Sequence, residues 1–105
     1  MVSMSAFHIL LALADGDRHG YSIIKEVEEE TEGAVRLGPG TLYRMLKQLL
    51  DDEWIAEVER EDEGDPRRRY YRLTPRGRRI AQAEAARLAN LVKLARHRRL
   101  LPAGA

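Results

Sequence analysis

The 105-residue sequence contains no cysteine, which excludes disulfide bonds and thiolate metal sites. Its three histidines, at positions 8, 19 and 97, do not have the spacing of metal ligands. The longest apolar run, residues 9–14, is far too short to span a membrane, and it lacks the basic start and the cleavage region of a signal peptide. We therefore expect a cytoplasmic protein with neither a metal site nor another cofactor.

Catalytic constellations are also missing from the sequence. It has no Ser/His/Asp or Cys/His arrangement, no metal triad and no phosphate-binding loop. Its acidic residues concentrate on one helix face and on a hairpin instead of around a pocket. We predict that the protein is not an enzyme.

The charge is unevenly distributed, although the formal net charge is only +1. Residues 1–65 carry 6 Lys/Arg and 16 Asp/Glu, whereas residues 66–105 carry 12 Lys/Arg and a single Glu. Such an asymmetry favours a nucleic-acid partner for the basic part. Attraction between the two halves and a basic interface between subunits are the alternatives.

Residues 37–50 predict the helix around which the chain is organised. Apolar side chains at positions 42, 45, 46, 49 and 50 form one helical stripe. Pro39 and Gly40 interrupt the chain just before it, and Gly40 or Thr41 can cap its start. The opposite face is polar and cationic, with Thr41, Tyr43, Arg44, Lys47 and Gln48. Such a helix suits the DNA major groove, and an ordinary amphipathic surface helix is the alternative.

Two further helices are expected before this one. The first begins after Ser3 or Ser5, runs to about Ala14, and has apolar side chains on two sides. One side can meet the core and the other, with Phe7 and Leu10, a second subunit, and deep burial of both sides within one subunit is the alternative. The second begins near His19 and runs to about Thr31. Residues 32–37 form a connector that can pair as a minimal strand.

The second helix has an acidic outer face, which cannot lie on phosphate. Only its start, with His19 and Tyr21, can approach a DNA backbone. We interpret His19 as a turn or cap residue in preference to a ligand. Joined by a short connector that contains glycine, the second and central helices form a helix-turn-helix.

Residues 54–60 and 67–73 alternate as two strands, and the polar segment between them contains Gly and Pro, which predicts a β-hairpin. A hairpin directly after a recognition-type helix is typical of a winged-helix domain. We expect at least one of Arg67 and Arg68 to contact DNA. The alternative is that residues 67–69, all arginines, pair with Glu57, Glu59 and Glu61 across the hairpin.

The last helix is expected to begin with Thr74 as N-cap and Pro75 in its first turn, and to continue to about residue 100. About 25 residues give a length of roughly 38 Å, too long for a small domain to cover. Its apolar seam therefore predicts a homodimer, formed by Ala81, Ala85, Leu88, Leu91, Val92 and Ala95 together with Phe7 and Leu10. The alternative is a fourth core helix that folds back, and residues 101–105 are expected to fray.

The sequence resembles the short form of PadR-like transcriptional regulators. The motifs that carry the resemblance are Ile-Leu-Leu-Ala-Leu at 9–13, His-Gly-Tyr-Ser-Ile-Ile at 19–24, Leu-Gly-Pro-Gly-Thr-Leu-Tyr at 37–43 and Arg-Arg-Tyr-Tyr-Arg-Leu-Thr-Pro-Arg-Gly at 68–77. The resemblance implies a mainly α fold with a small β-hairpin. In it a winged helix-turn-helix domain (residues 1–74) precedes a dimerisation helix (residues 75–100). It further implies homodimeric DNA binding, mostly as a repressor, with the third helix reading the operator.

The chain departs from the family pattern at two points. Arg44 stands where the family often has a proline or a small residue, which makes it a candidate base or phosphate contact. Some members hold planar drugs between aromatic residues at the dimer centre, but this last helix has no Trp, Tyr or Phe. Phe7 is then the aromatic residue expected to reach such an effector site.

We therefore predict a transcriptional regulator that binds double-stranded DNA as a homodimer on a pseudo-palindrome, with a small-molecule effector changing the angle between the two last helices. The predicted DNA contacts are His19, Tyr21, Gly40, Thr41, Tyr43, Arg44, Lys47, Arg67 and Arg68. A winged-helix adaptor that binds protein, and a non-specific or RNA-binding protein, are the alternatives.

Overall fold

A computed structural model describes residues 2–60 and 68–104 of the protein. In this part of the chain four helices surround a small sheet, in the order α1 (Met4–Ala12), β1 (Arg18–His19), α2 (Gly20–Glu30), α3 (Pro39–Asp51), β2 (Ile55–Val58), β3 (Tyr70–Leu73) and α4 (Pro75–His97). The predicted class, mainly helical with a small β-hairpin, is confirmed.

The helix starts follow local capping chemistry. The Ser3 hydroxyl accepts a hydrogen bond from the Ala6 amide at the start of α1, and the Thr74 hydroxyl accepts one from the Gly77 amide at the start of α4. The α3 helix differs, because Gly38 is its N-cap and makes no side-chain bond. The expectation that Gly40 or Thr41 caps α3 was wrong, since Pro39, with its φ fixed near the helical value, already occupies the first turn.

The sheet is antiparallel, with strand order β1–β3–β2. The β2–β3 hairpin is confirmed, with Ile55 opposite Leu73 and Val58 opposite Tyr70. The central strand is β3, and its other edge pairs with β1, where Arg18 lies opposite Tyr71. The expected pairing of residues 32–37 does not occur, because that connector turns sharply at Gly33, which has a φ of 81°.

One hydrophobic core joins α1, α2, α3 and the hairpin. Its side chains include Ile9, Leu10, Leu13, Ile23, Val27, Leu42, Leu46, Leu49, Ile55, Tyr71 and Leu73. Leu10 is completely buried in this core, so its prediction as a dimer contact was wrong. Phe7 is only 6% exposed, whereas Leu11 on the same helix is 41% exposed.

The α4 helix extends well beyond the core. Its 23 residues correspond to a length of about 35 Å, and only Gly77 and Glu84 are buried on it. Leu91 and Leu94, in its second half, are about half exposed, at 48% and 50%. The α4 helix therefore does not bury its apolar side by folding back on its own domain, which was the alternative.

A bidentate ion pair ties the turn after α1 to β3. The two carboxylate oxygens of Asp17 accept hydrogen bonds from Nε and Nη2 of Arg72 at 3.0 and 2.9 Å. These bonds hold the pKa of Asp17 below its ordinary value. Because the folded-state pKa is the lower one, the pair stabilises the fold above the pKa of an unfolded Asp, about 4, and loses this effect as the pH falls through the folded-state value.

We therefore expect Asp17→Asn to lower the free energy of unfolding at pH 7 by a small amount, because Arg72 is largely exposed to solvent. Urea unfolding between pH 7 and pH 2.5 measures this effect. The difference between wild type and variant should begin to shrink below about pH 4, where Asp17 of the unfolded chain becomes protonated, and should disappear as the pH falls through the lower folded-state pKa. A difference that stays constant to the lowest pH would contradict this role for the pair.

Candidate nucleic-acid interface

The start of α2, the first turns of α3 and the wing strand β3 meet at one surface. They enclose a pocket of about 260 Å³ lined by His19, Gly20, Tyr21, Tyr43, Arg68, Arg69 and Tyr71. Four of the predicted DNA contacts, His19, Tyr21, Tyr43 and Arg68, are thus brought together from three segments that are distant in sequence. We refer to this cavity as the wing pocket.

His19 organises one wall of the wing pocket. Its Nδ1 accepts a hydrogen bond from the Ser22 amide at 3.1 Å, which confirms the interpretation of His19 as a cap residue. Its ring lies almost parallel to that of Tyr21, with centroids 6.4 Å apart, and edge-on to that of Tyr70 at 5.3 Å. These contacts hold Tyr21 beside the wing while its side chain stays exposed to solvent.

Gly20 sets the distance between α2 and α3. A Cβ atom at this position would lie 3.2 Å from the hydroxyl of Tyr43 and 3.4 Å from Cδ2 of Leu42. The missing side chain therefore allows α3 to pack closely and places the Tyr43 phenol against the start of α2. Each residue of the His-Gly-Tyr motif thus has a structural role. His19 caps α2, Gly20 allows the close contact with α3, and Tyr21 presents an exposed phenol.

The outer face of α3 is exposed, as the periodicity predicts. Leu42, Leu46 and Leu49 are buried on the inner side. The outer side presents the other predicted contacts of this helix, Gly40, Thr41, Tyr43, Arg44 and Lys47, all exposed to solvent. This face is available to enter a groove, and its cations are not covered by the domain itself.

Two of the three consecutive arginines of the wing, Arg68 and Arg69, are described by the structure. Arg67 lies outside the described residues, as does Glu61. Arg68 and Arg69 both line the wing pocket, and Nη1 of Arg69 lies 3.3 Å from Oε1 of Glu57. Pairing across the hairpin is therefore confirmed for Arg69.

Two cationic contacts were missed by sequence reasoning. Lys25 places its ammonium 5.6 Å from the ring centre of Tyr21, and the guanidinium of Arg60 lies 5.1 Å from that of Tyr70. Lys25 follows Tyr21 by four residues on a helix, a signal that was available in the sequence. Arg60 and Tyr70 come together only through the hairpin register.

Tyr71 forms the floor of the wing pocket as a neutral phenol. Burial raises its pKa above the ordinary value, and the charge of Glu57 raises it further. Tyr71 therefore adds no negative charge to the wing pocket. Among residues 2–60 and 68–104, no group of three acidic, His or Cys side chains is placed to hold a metal ion. Within the same ranges, no helix has the length and hydrophobicity needed to cross a bilayer.

Comparison with known proteins identifies relatives of this arrangement. Residues 9–83 match the family described as the transcriptional regulator PadR-like family. A transcriptional regulator of Mycobacterium tuberculosis is 34% identical over 86 residues, which cover 82% of this chain and 77% of that protein. A 37.1 kDa protein from a transposon of Streptomyces fradiae is 39% identical over 83 residues. That match covers 79% of this chain but only 22% of the longer protein.

Solved structures have the same arrangement of helices and hairpin. A PadR family transcription regulator from Clostridium difficile is 26% identical and aligns with a TM-score of 0.78 over 90% of this chain and 97% of that chain. PadR from Bacillus subtilis, solved in complex with operator DNA, is 23% identical. It aligns with a TM-score of 0.70 over 79% of this chain and 47% of that chain.

Proposed function

Because the chain belongs to the PadR-like family of transcriptional regulators, as its motifs predict, we propose that it is a repressor that binds a specific DNA operator as a homodimer. The observation that carries this proposal is the convergence of α2, α3 and the wing around one cationic pocket beside the exposed face of α3. The operator complex of the Bacillus subtilis relative supports DNA as the partner of this fold.

In this proposal each part of the surface has a distinct task on DNA. Thr41, Tyr43 and the first amides of α3 hold a backbone phosphate, as helix N-termini commonly do. Arg44 and Lys47 project from the next turn into the major groove, where a bidentate contact of arginine with guanine is the commonest specific interaction. Arg68 at the wing, and His19 and Tyr21 at the start of α2, contact the flanking backbone.

The dimer in this proposal is formed through α4. Its seam residues Ala81, Leu88 and Ala95 are partly covered, while Ala85, Leu91 and Val92 are exposed. An apolar seam of this length on a small domain is best covered by a second copy. Two copies related by a two-fold axis would place their α3 helices about 34 Å apart, one helical turn of DNA.

The proposed effector site must lie elsewhere than at Phe7, where the sequence led us to expect it. Phe7 is 6% exposed in its own chain, so it presents no ring face for stacking at a dimer centre. A second cavity, of about 230 Å³, lies between α1 and α3 beside Trp54, Met45 and Gln48. We propose this cavity as the effector site, because α1 lines it beside α3 and also packs against α4, the helix of the proposed dimer.

The test begins with the operator. Genomic fragments enriched by the purified protein define the bound sequence, and affinities for that duplex and a scrambled duplex are then measured at several salt concentrations. We expect a strong preference for the operator, and an affinity that falls linearly with salt on logarithmic axes. A flat salt response would favour the protein-binding adaptor, and equal binding of both duplexes would favour a non-specific binder.

Arg44→Ala tests the specific contact within this experiment. We expect it to weaken operator binding by about 1–3 kcal/mol and to relax the preference at one base pair, because one bidentate contact is lost. Lys93→Ala, which removes an exposed cation from α4, is the control and should leave the base preference unchanged. Equal weakening on every sequence would instead make Arg44 a phosphate contact.

A further inference from the structure

Two arginines of the wing, three residues apart in sequence, contact carboxylates in very different ways. Arg72 makes two hydrogen bonds of 3.0 and 2.9 Å to Asp17, whose side chain is only 19% exposed. Arg69 makes a single contact of 3.3 Å to Glu57, and the two side chains are 74% and 45% exposed. The first pair is a structural clamp, whereas the second can exchange with solvent or with another anion at little cost.

The exchangeable pair lies at the proposed DNA surface. Arg69 lines the wing pocket together with Tyr21 and Tyr43, and Glu57 sits opposite Tyr71 in the hairpin register. The negative charge of Glu57 therefore lies 3.3 Å from a guanidinium that lines the pocket, and it would repel a phosphate bound to that guanidinium. Over such distances, shorter than the Debye length of about 8 Å, salt does not screen the repulsion fully.

We infer that Glu57 restrains DNA binding by occupying the guanidinium of Arg69, which must leave Glu57 to bind a backbone phosphate. This inference rests on the proposed function, since it requires DNA at the wing pocket. The single long contact already leaves other N–H donors of Arg69 available, so release needs only a side-chain rotation. Glu57 would thus reduce affinity without contributing a contact of its own.

Glu57→Gln keeps the shape of the side chain and removes its charge. We expect this variant to bind operator DNA about three- to tenfold more tightly, because the competing ion pair and the repulsion of phosphate both disappear. The slope of log affinity against log salt should steepen by up to about 0.9, the value for one phosphate contact, because Arg69 then binds phosphate in every complex instead of in only a fraction of them. Damage to the fold alone would weaken binding and would not steepen the slope.

Glu59→Gln is the matched control, because it removes the same charge from the same side of the hairpin, two positions further along the chain. We expect a smaller gain in affinity and an unchanged salt slope from it. Arg69→Gln completes the comparison. In that background Glu57→Gln should improve binding no more than Glu59→Gln does in the wild type.

The outcomes of these experiments distinguish a failure of the inference about Glu57 from a failure of the proposed function. If the wild-type protein selects no DNA sequence, the proposed function fails. If the wild type binds its operator but Glu57→Gln binds equally or more weakly, the inference is overturned and the proposed function stands. An equal gain from Glu57→Gln and Glu59→Gln also overturns it, since general charge on the wing would then explain the effect.

Discussion

Replacing Gly77 with alanine is expected to destabilise the domain by about 3 kcal/mol or more. A Cβ atom at this position would lie 1.9 Å from the carbonyl oxygen of Trp54 and 2.8 Å from its carbonyl carbon. The Trp54 oxygen cannot move aside cheaply, because it accepts the hydrogen bond from the Thr74 amide that joins β2 to the start of α4. The gain of about 1 kcal/mol in helix propensity from alanine is too small to offset this clash.

Gly40→Ala provides the matched control, because Gly40 also lies in the first turn of a helix and a Cβ atom there would meet nothing within 4 Å. We expect this variant to be as stable as the wild type, or slightly more stable. Thermal or urea unfolding of the two variants measures the difference. If Gly77→Ala unfolds at the same midpoint as the wild type, the close packing of α4 on the Trp54 backbone is not present in solution.

The elements that could be predicted from sequence are those with local causes. The starts of α1 and α4 follow from a hydroxyl that caps the first turn, and the hairpin follows from alternation on both sides of a polar segment. The α3 helix follows from its apolar stripe. In each case the deciding residues lie within one element and its flanks.

The features that could not be predicted depend on contacts between elements. A strand of two residues such as β1 has no periodicity, and it exists because Arg18 and His19 meet β3. Leu10 and Leu11 are neighbours on an apolar helix, and only the packing of α1 decides that the first is buried and the second exposed. Pairing of the wing arginines across the hairpin could be foreseen as an alternative, but the contact of Arg69 with Glu57 in particular depends on the hairpin register.

The burial of Glu84 is a further feature that could not be predicted from the sequence. It is the single acidic residue of the basic half of the chain, and it is buried on α4, where Arg87 donates hydrogen bonds to it. Those hydrogen bonds lower the pKa of Glu84, and a backbone hydrogen bond at Val2 lowers it further. The partnership with Arg87 follows from the helical spacing of three residues, but the burial follows from tertiary packing.

Placing a carboxylate in the seam of α4 should have the largest effect on function. Val92 is 39% exposed in the single chain, so Val92→Glu should leave the fold of one subunit intact. In a two-fold dimer, however, it would bury two unpaired carboxylates at the interface, which costs several kcal/mol. We expect the variant to sediment as a single chain at a micromolar concentration at which, under the proposal, the wild type sediments as a dimer.

Loss of the dimer should reduce operator affinity by at least about 100-fold, because each α3 helix then binds its half-site alone and the advantage of linked binding disappears. Asn90→Glu is the control, since it adds the same charge to an exposed position on the opposite side of α4. It should remain dimeric and bind the operator as tightly as the wild type. If Val92→Glu stays dimeric, α4 is not the interface, and the proposed spacing of the two α3 helices on one side of the duplex loses its basis.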